Sequence, residues 1–346
     1  MRHLHLLANQ PAIGGGEVML LAMADAAKVL GVPVTVVAPT GETAQAARAN
    51  GHPVDVIGGR TRRGYLLSLA RWRPLPESMT WCVGLLPAVA TAGRARRVVH
   101  VHQEAQSASQ RLAVRSARVG ALATVVPSSA LASEIPGARV MWNWTGEIPR
   151  TATPRRVQGP LRVGFSGRLS TAKGFDMLCA AIGLMDAEHR GGVELVVAGD
   201  DRFVPLAQRQ AAVDAIRPIA HLVRRLGWVR RERFLGQVDI VAVPSVCLEA
   251  FGLVATEAMA AGVPLVVSDA GALPEVVGPG YPWIVPKGDP AALAERLWDV
   301  AHRTDDEVVD AARARWEHEF SPRAGTRRFA AVLSGLGVEL APETLP

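Results

Sequence analysis

Two basic residues follow a predicted strand in the second half of the chain. The stretch LRVGFSGRLSTAKGFDML reads as a strand ending near Gly167, followed by Arg168 and Lys173 at the start of the next helix. Two fixed cations beside the free N–H groups of a helix start form an anion site. Lys173 is one of only three lysines in 346 residues, which favours a specific role over a solvated surface position. The pattern predicts a diphosphate site; the alternative is a pair of exposed basic residues.

A second strand, loop and helix follow in sequence around two glutamates, Glu249 and Glu257. The predicted helix begins near Phe251, Gly252 and Leu253, whose backbone N–H groups could bind phosphate oxygens. Glu257 lies two turns after Glu249 in an otherwise apolar helix. We expect its carboxylate to be paired, bound to hydroxyls or turned to solvent, because an unpaired buried charge is costly.

The first half carries weaker signals after two of its strands. Three glycines, Gly14, Gly15 and Gly16, follow the first predicted strand and precede a helix. Glycine allows the backbone to approach a phosphate or sugar closely. His102 ends the predicted strand VVHVHQ, and His100 lies on the same strand face two residues earlier. Either histidine could face a ligand, or both could be satisfied structural residues.

Strands and helices alternate along the whole chain, which predicts parallel sheets covered on both faces. The alternation pauses at 145–160, a stretch rich in Pro, Gly, Thr and Arg that we interpret as a linker. It then restarts, with one of its strands predicted over 220–224. We predict domains over 1–150 and 151–320, and a C-terminal helix over 321–346 that crosses back to the first domain. Ligands should bind at the carboxyl ends of the strands.

Composition limits the class of protein. Hydrophobic residues make up 49% of the chain, enough for two cores, and three scattered cysteines suggest neither a disulfide framework nor a metal site. No targeting segment is recognised, and the apolar run 81–93 is too short to span a bilayer. We therefore expect a cytoplasmic protein.

Charge is uneven between the two halves. Residues 1–150 carry 16 Arg and Lys against 8 Asp and Glu. The arginines cluster in two groups: Arg60, Arg62, Arg63, Arg71 and Arg73, then Arg94, Arg96 and Arg97. An anionic membrane or a phosphorylated acceptor would suit such a surface, and so would plain solvation. Nucleic acid is not expected, because no reader motif accompanies the arginines.

These elements together resemble glycosyltransferase family 4. The E-x7-E signature of the family stands here as Glu249-AFGLVAT-Glu257, and its Arg-x4-Lys-Gly element as Arg168-LSTA-Lys173-Gly174. The runs EAMAAGVPLV and GALPEVV follow in the family's order. The resemblance extends from residue 161 to about residue 290, and the glycine run and His102 resemble the family more weakly.

The resemblance implies a GT-B fold, with two facing Rossmann-like doubly wound domains and an inter-domain cleft. It implies a retaining transfer of a sugar from a nucleotide-diphosphate sugar to an acceptor: a lipid, a polysaccharide or a small natural product. Arg168 and Lys173 would neutralise the diphosphate. Glu249 would hold the transferred sugar and Glu257 the ribose hydroxyls, while His102 would contact the sugar from the first domain. The other donor-binding positions would be Gly15, Gly16, Gly167, Gly227, Val229, Phe251, Gly252 and Leu253.

Three alternatives bear on this hypothesis. We expect no metal and no cofactor beyond the donor, because Arg168 and Lys173 replace the cation and no D-x-D box is present; the pair Asp200-Asp201 is the weaker counter-candidate. A nicotinamide-dependent oxidoreductase is disfavoured, since no G-x-G-x-x-G follows the first strand. A non-catalytic GT-B protein that binds a nucleotide or sugar is the remaining rival.

Overall fold

Two parallel β-sheets, each in its own unit of the chain, organise the computed structural model. One unit comprises Met1–Gly146 with Phe320–Pro346, and the other comprises Glu147–Glu319. The boundaries predicted from the sequence are 150/151 and 320/321. The structure describes residues 3–58, 61–151, 159–189, 192–199, 204, 206–303, 305–338 and 340. Arg60, the Asp200-Asp201 pair and residues 152–158 of the predicted linker lie outside these residues.

The described residues of the first unit form seven strands and, up to residue 134, six helices. The strands are β1 (Leu4–Leu7), β2 (Val34–Ala38), β3 (Val54–Val56), β4 (Met79–Val83), β5 (Arg97–His100), β6 (Ala123–Val126) and β7 (Arg139–Val140). The helices are α1 (Gly15–Val29), α2 (Glu42–Ala49), α3 (Arg62–Arg71), α4 (Leu85–Ala90), α5 (Ala108–Arg118) and α6 (Ser129–Glu134). The strands form one parallel sheet in the order β3-β2-β1-β4-β5-β6-β7.

The second unit repeats this architecture, with six strands among its described residues. They are β8 (Leu161–Ser166), β9 (Val193–Ala198), β10 (Val223–Gly227), β11 (Ile240–Val243), β12 (Leu265–Ser268) and β13 (Ile284–Val285). The helices are α7 (Phe175–His189), α8 (Leu206–Ile216), α9 (Arg231–Leu235), α10 (Leu253–Ala261), α11 (Leu273–Val277), α12 (Pro290–His302) and α13 (Asp306–Arg315). The sheet is parallel, in the order β10-β9-β8-β11-β12-β13. The prediction of two doubly wound α/β domains is confirmed.

The central strands are apolar because helices cover both faces of each sheet. Every residue of β1, β4 and β11 is buried, whichever face it occupies. Large aliphatic and aromatic side chains from strands and helices complete each core, for example Trp81 in the first unit and Phe175 in the second. The cores therefore hold the carboxyl ends of the strands in fixed positions.

The strand predicted over 220–224 is wrong in its placement. The chain forms 3₁₀ turns over Arg217–Leu222, and the strand begins only at Val223 and runs to Gly227. Pro218 explains the shift, because it lacks an N–H for a sheet ladder and favours the first turn of a helix. Ile219 and Leu222 are still buried, so the turns contribute apolar side chains to the core.

The last helix, α14 (Pro322–Gly335), packs against α1 in the first unit although 173 residues of the other unit intervene. Phe329 and Leu333 are fully buried in that core. Gly325 is required at the contact, since a Cβ there would lie 2.1 Å from Cδ2 of Trp144. The first sheet is thus covered by a helix from the far end of the chain.

Candidate functional site

The strand order of the second sheet reverses between β8 and β11, which pair at its centre. At such a reversal the loops after the two strands diverge, and ligands of doubly wound sheets bind in the resulting crevice. The loop after β8 carries Arg168 and Lys173, and the loop after β11 carries Glu249. The topology therefore brings together side chains that are 76 positions apart in sequence.

Direct backbone contacts join these two loops. The N–H of Val246 donates to the carbonyl oxygen of Ala172 at 3.2 Å. Gly174 adopts φ +67°, and a Cβ there would lie 1.8 Å from the carbonyl oxygen of Pro244. Only glycine fits, because any other residue would be strained in this conformation and would push the loops apart. The glycine after Lys173 thus sets the separation of the loops.

Lys173 and Glu249 form the ion pair at the centre of the crevice. The Lys173 Nζ donates to both carboxylate oxygens of Glu249, at 2.8 and 2.6 Å, and the Ser245 hydroxyl donates to Oε2 at 2.7 Å. Burial would raise the pKa of Glu249, but Lys173, the Ser245 hydroxyl and the charge of Arg168 together hold that pKa below its ordinary value. Glu249 is therefore ionised at neutral pH.

Arg168 stands beside this pair as an exposed cation. Its guanidinium forms no hydrogen bond or ion pair with any residue that the structure describes, although its charge lowers the pKa of Glu249. An ammonium has three donors, and Lys173 uses two of them on Glu249. One Lys173 donor and the whole Arg168 guanidinium are consequently available for an anion.

A second loop holds the backbone of Glu249 in place. The N–H of Ala272 donates to the carbonyl oxygen of Glu249 at 2.9 Å. Gly271 adopts φ +56°, and a Cβ there would lie 2.4 Å from the Glu249 nitrogen. The run GALPEVV is thus explained: its first glycine allows the loop after β12 to lie directly on the Glu249 peptide.

The start of α10 lies in the loop that carries Glu249. Gly252 caps the helix with φ +102°, and a Cβ there would lie 2.7 Å from Cδ2 of Leu273. Phe251 is buried, and Leu253 is the first helical residue. The first N–H groups of a helix have no partner within it, so this turn can donate to an anion.

Glu257, in the second turn of α10, is paired with a residue that the sequence analysis did not identify. Arg231, the first residue of α9, donates from Nη1 to Glu257 Oε1 at 3.2 Å. Only 18% of the Glu257 side chain is exposed. Burial raises its pKa to about 7, while Arg231 acts in the opposite direction and Glu232 adds to the rise. No periodicity distinguishes Arg231 from its neighbour Arg230, so the sequence offered no signal for it.

The glycines that end the neighbouring strands lie side by side. A Cβ on Gly199 would lie 2.1 Å from the carbonyl oxygen of Gly167, and the Gly199 N–H donates to the Gly227 carbonyl oxygen at 2.8 Å. Gly167 itself faces open space. Val229 is half-buried just beyond Gly227. The structure thus assembles Gly167, Gly227 and Val229 along the rim formed by β8 and β10.

In the first unit, the glycine run is not the loop that the sequence predicted. Gly15 and Gly16 form the first turn of α1, and Gly14 is its N-cap. The Gly14 N–H donates to Oε2 of the buried Glu17 at 3.2 Å, while burial raises the Glu17 pKa. The helix α1 starts beside His102: a Cβ on Gly16 would lie 3.6 Å from its Cδ2, an ordinary van der Waals contact.

The two histidines of the first unit differ in their surroundings. Their rings lie 3.9 Å apart. His100 is completely buried, and its Nδ1 accepts a hydrogen bond from Trp81 Nε1 at 3.3 Å. His102 is partly exposed, and burial of its ring lowers its pKa to about 4, so it is neutral at pH 7. The assignment of His102 to a ligand stays a prediction.

No group of three His, Cys, Asp or Glu side chains is arranged to hold a metal ion within the described part of the chain. Asp200 and Asp201 lie outside that part. The charged groups of the crevice are Arg168, Lys173 and Glu249, and the Arg231–Glu257 pair lies at the second turn of α10.

Comparisons with known proteins agree with this geometry. Residues 160–303 match the family model described as Glycosyl transferases group 1, a span that contains all the charged residues above. The amylovoran biosynthesis glycosyltransferase AmsK of Erwinia amylovora is 30% identical over 188 residues, which are 51% of this chain and 45% of AmsK. The D-inositol 3-phosphate glycosyltransferase of Corynebacterium glutamicum is 33% identical over 219 residues, which are 58% of this chain and 49% of that protein. The chain spans about half the length of these curated relatives.

Comparison with solved structures finds similarity in fold over nearly the whole chain. Anabaena HepE, crystallised in complex with UDP and glucose, matches with a TM-score of 0.81 at 21% identity, covering 96% of this chain and 99% of that one. The class is therefore GT-B, two Rossmann-like α/β domains. Within it, residues 160–303 are similar to the group 1 glycosyltransferases. The narrower assignment to family 4 stays a prediction.

Proposed function

We propose that this protein is a retaining glycosyltransferase that moves a sugar from a nucleotide-diphosphate sugar to an acceptor, without a metal ion. The observation that carries the proposal is the crevice between β8 and β11. There Arg168, one free donor of Lys173 and the start of α10 lie near an ionised Glu249. The curated relatives are glycosyltransferases, and the HepE structure contains UDP and glucose.

The chemistry of transfer explains the need for these cations. Breaking the bond from the anomeric carbon to the diphosphate builds negative charge on the leaving phosphate, while the sugar becomes cationic. Preorganised donors aimed at that phosphate stabilise the transition state more than the bound donor. Arg168, Lys173 and the N–H groups of Phe251, Gly252 and Leu253 would supply this stabilisation in place of a metal.

The two glutamates would hold the hydroxyl groups of the donor. An ionised carboxylate accepts hydrogen bonds, and Glu249 is kept ionised by Lys173 and Ser245. We assign Glu249 to the transferred sugar and Glu257 to the ribose. Arg231 engages Oε1 of Glu257, which leaves Oε2 for a ribose hydroxyl. His102 is assigned to the transferred sugar as a neutral ring, and the rim at Gly167, Gly227 and Val229 to the nucleoside.

The test is to incubate the protein with UDP-, GDP-, ADP- and dTDP-sugars and to measure release of the free nucleotide diphosphate. We expect release from one class of donor, which an acceptor screen with lipid, oligosaccharide and small-molecule pools would accelerate. Nucleotide binding without turnover across all donors and acceptor pools would favour a non-catalytic GT-B binding protein instead.

Two further measurements address the finer parts of the proposal. NMR of the product gives the anomeric configuration, and an inverted product would contradict retention. Activity should persist after chelation by EDTA; loss of activity that a divalent ion restores would contradict the metal-free reaction.

A further inference from the structure

The positive charge of the first 150 residues comes from one segment. Residues 61–122 contain ten arginines and two glutamates, whereas the remaining residues of 1–150 contain six basic and six acidic ones. Helices α3 and α5 lie in this segment, and neither contains an acidic residue. The charge is thus concentrated on one part of the first unit instead of being spread over it.

Helices α3, α4 and α5 form one layer, with α4 packed between the other two. In the strand order β3-β2-β1-β4-β5-β6-β7, the helices α3, α4 and α5 lead from one strand to another that lies nearer the β7 edge. The helices α1 and α2 lead to strands that lie nearer the β3 edge. Because such crossovers are right-handed, the two sets of helices cover opposite faces of the sheet. The arginine-rich layer is therefore a single face of the first unit.

Three arginines of the segment serve this layer internally. Arg94 donates to the carbonyl oxygens of Ala70 and Trp72 at the end of α3. Arg97 is fully buried and donates to the carbonyl oxygens of Ala88 and Val119, joining α4 to the end of α5. Arg118 donates to the Thr124 hydroxyl and the Pro136 carbonyl oxygen. The Arg94 and Arg97 bonds tie α4 and the residues after it to the ends of α3 and α5, whereas Arg118 contacts β6 and the turn after α6.

The other seven arginines are exposed: Arg62, Arg63, Arg71, Arg73, Arg96, Arg111 and Arg115. None of them is ion-paired with a carboxylate among the residues that the structure describes. Their charge is consequently not neutralised within the described chain.

Large apolar side chains project from the same face. On α3, Leu67 lies one turn from both Arg63 and Arg71, opposite the buried side of the helix, and is 54% exposed. On α5, Leu112 lies one turn from Arg115 and is 63% exposed, and Val119, the residue that follows the helix, is 61% exposed. Leu75 and Leu122 are exposed nearby in the chain. Both helices therefore expose aliphatic side chains beside arginines.

We propose that the α3–α4–α5 layer is a docking surface for an anionic lipid bilayer. Guanidinium groups bind lipid phosphates, and aliphatic side chains beside them can enter the boundary between headgroups and acyl chains. Each basic residue near such a surface contributes favourably, so seven unpaired arginines provide a strong attraction. Leucine and valine suit lipid better than nucleic acid, whose bases call for aromatic stacking. No helix in the described ranges is long and apolar enough to cross a membrane, so contact would be peripheral.

The inference goes beyond the proposed sugar transfer and is tested by binding alone. The full chain is sedimented with vesicles of phosphatidylcholine mixed with phosphatidylglycerol, and with vesicles of phosphatidylcholine only. We expect binding to the mixed vesicles, weakened by salt, and little to the neutral ones. Arg115→Glu should lower the affinity at least about fivefold, and Leu112→Ser should lower it as well.

Matched controls lie on the opposite helix layer. Arg48→Glu on α2 makes the same change of charge, and Val29→Ser on α1 removes a side chain that is 58% exposed. Both should bind mixed vesicles like the unaltered chain, and circular dichroism melts verify that all four variants fold. Equal losses in Arg48→Glu and Arg115→Glu would overturn a localised surface. Equal binding to neutral vesicles, or binding of duplex DNA without binding of vesicles, would also overturn the proposal.

Discussion

At the scale of single residues, the crevice of the second unit depends on which partner each charge has. Lys173 is not simply a phosphate ligand, because two of its donors hold Glu249 and keep that carboxylate ionised. For Glu257 the effect of burial on the pKa is larger than the opposing effect of Arg231, so that pKa is raised to about 7. Two glutamates eight positions apart therefore occupy different protonation regimes at neutral pH.

Removing Lys173 should affect turnover more than any other single change in the crevice. Lys173→Ala loses one charged phosphate contact, which is worth on the order of 3 kcal/mol, or ~10² in kcat. It also leaves Glu249 without its partner, so the melting temperature should fall modestly. Rates of donor cleavage and thermal melts measure the two effects. Lys287→Ala, at an exposed lysine of the same unit, is the control; equal rates in the two variants would contradict the assignment.

The pH dependence of donor binding should report on Glu257. If its carboxylate accepts ribose hydroxyls, nucleotide affinity falls as pH drops through about 7, where the group becomes protonated. Arg231 lowers this pKa, so Arg231→Ala should move the transition to higher pH. Glu232 raises it, so Glu232→Gln should move the transition to lower pH. Calorimetric titration with the nucleotide across pH measures both shifts; shifts in the same direction would contradict the argument.

At the scale of elements, glycines determine how closely the loops after the strands approach. Gly174 lies on Pro244, Gly271 on Glu249 and Gly199 on Gly167, each at a distance that excludes a Cβ. Two of these contacts hold residues of the Lys173–Glu249 pair. Backbone contacts between the loops therefore position the site. The charged side chains are then carried by loops whose separation is already defined.

Gly174→Ala tests this element-level control. Left-handed φ is unfavourable for alanine, and its Cβ would collide with the Pro244 carbonyl oxygen, so we expect a loss of at least about 2 kcal/mol of unfolding free energy. Donor cleavage should fall too, because the displaced loop carries Lys173. Gly183→Ala, in the interior of α7 with only ordinary contacts, should be neutral or stabilising. Urea denaturation measures the unfolding free energy of both variants. Equal stabilities would show that the loops can separate freely and would contradict this prediction.

At the scale of the whole molecule, the first unit is not contiguous in sequence. Its core contains Trp81 from β4, Trp144 beyond β7, and Phe329 from α14, with the Phe329 ring 5.3 Å from that of Trp81. The second unit is inserted between the two segments. The core of the first unit is therefore complete only when the last helix packs against it.

Phe329→Ala should consequently destabilise the first unit by about 3–5 kcal/mol, the usual cost of emptying a fully buried aromatic site. Arg323→Ala, on the exposed side of the same helix, should change little. Thermal unfolding measures the loss of stability, and amide hydrogen exchange shows in which unit that loss occurs. Faster exchange in β8–β13 than in β1–β7 would place the effect in the wrong unit and contradict this account.

The sequence by itself determined the fold class and the order of the elements, because strand and helix periodicities and the motif spacings are local properties of the chain. It also indicated Arg168, Lys173, Glu249 and Glu257, whose residue types are unusual where they stand. Only the tertiary structure revealed that Lys173 holds Glu249, that Arg231 reaches Glu257, and that Gly15 and Gly16 are helical. These facts depend on which loops meet at a reversal of strand order, and contacts between residues tens of positions apart leave no periodic trace in one sequence.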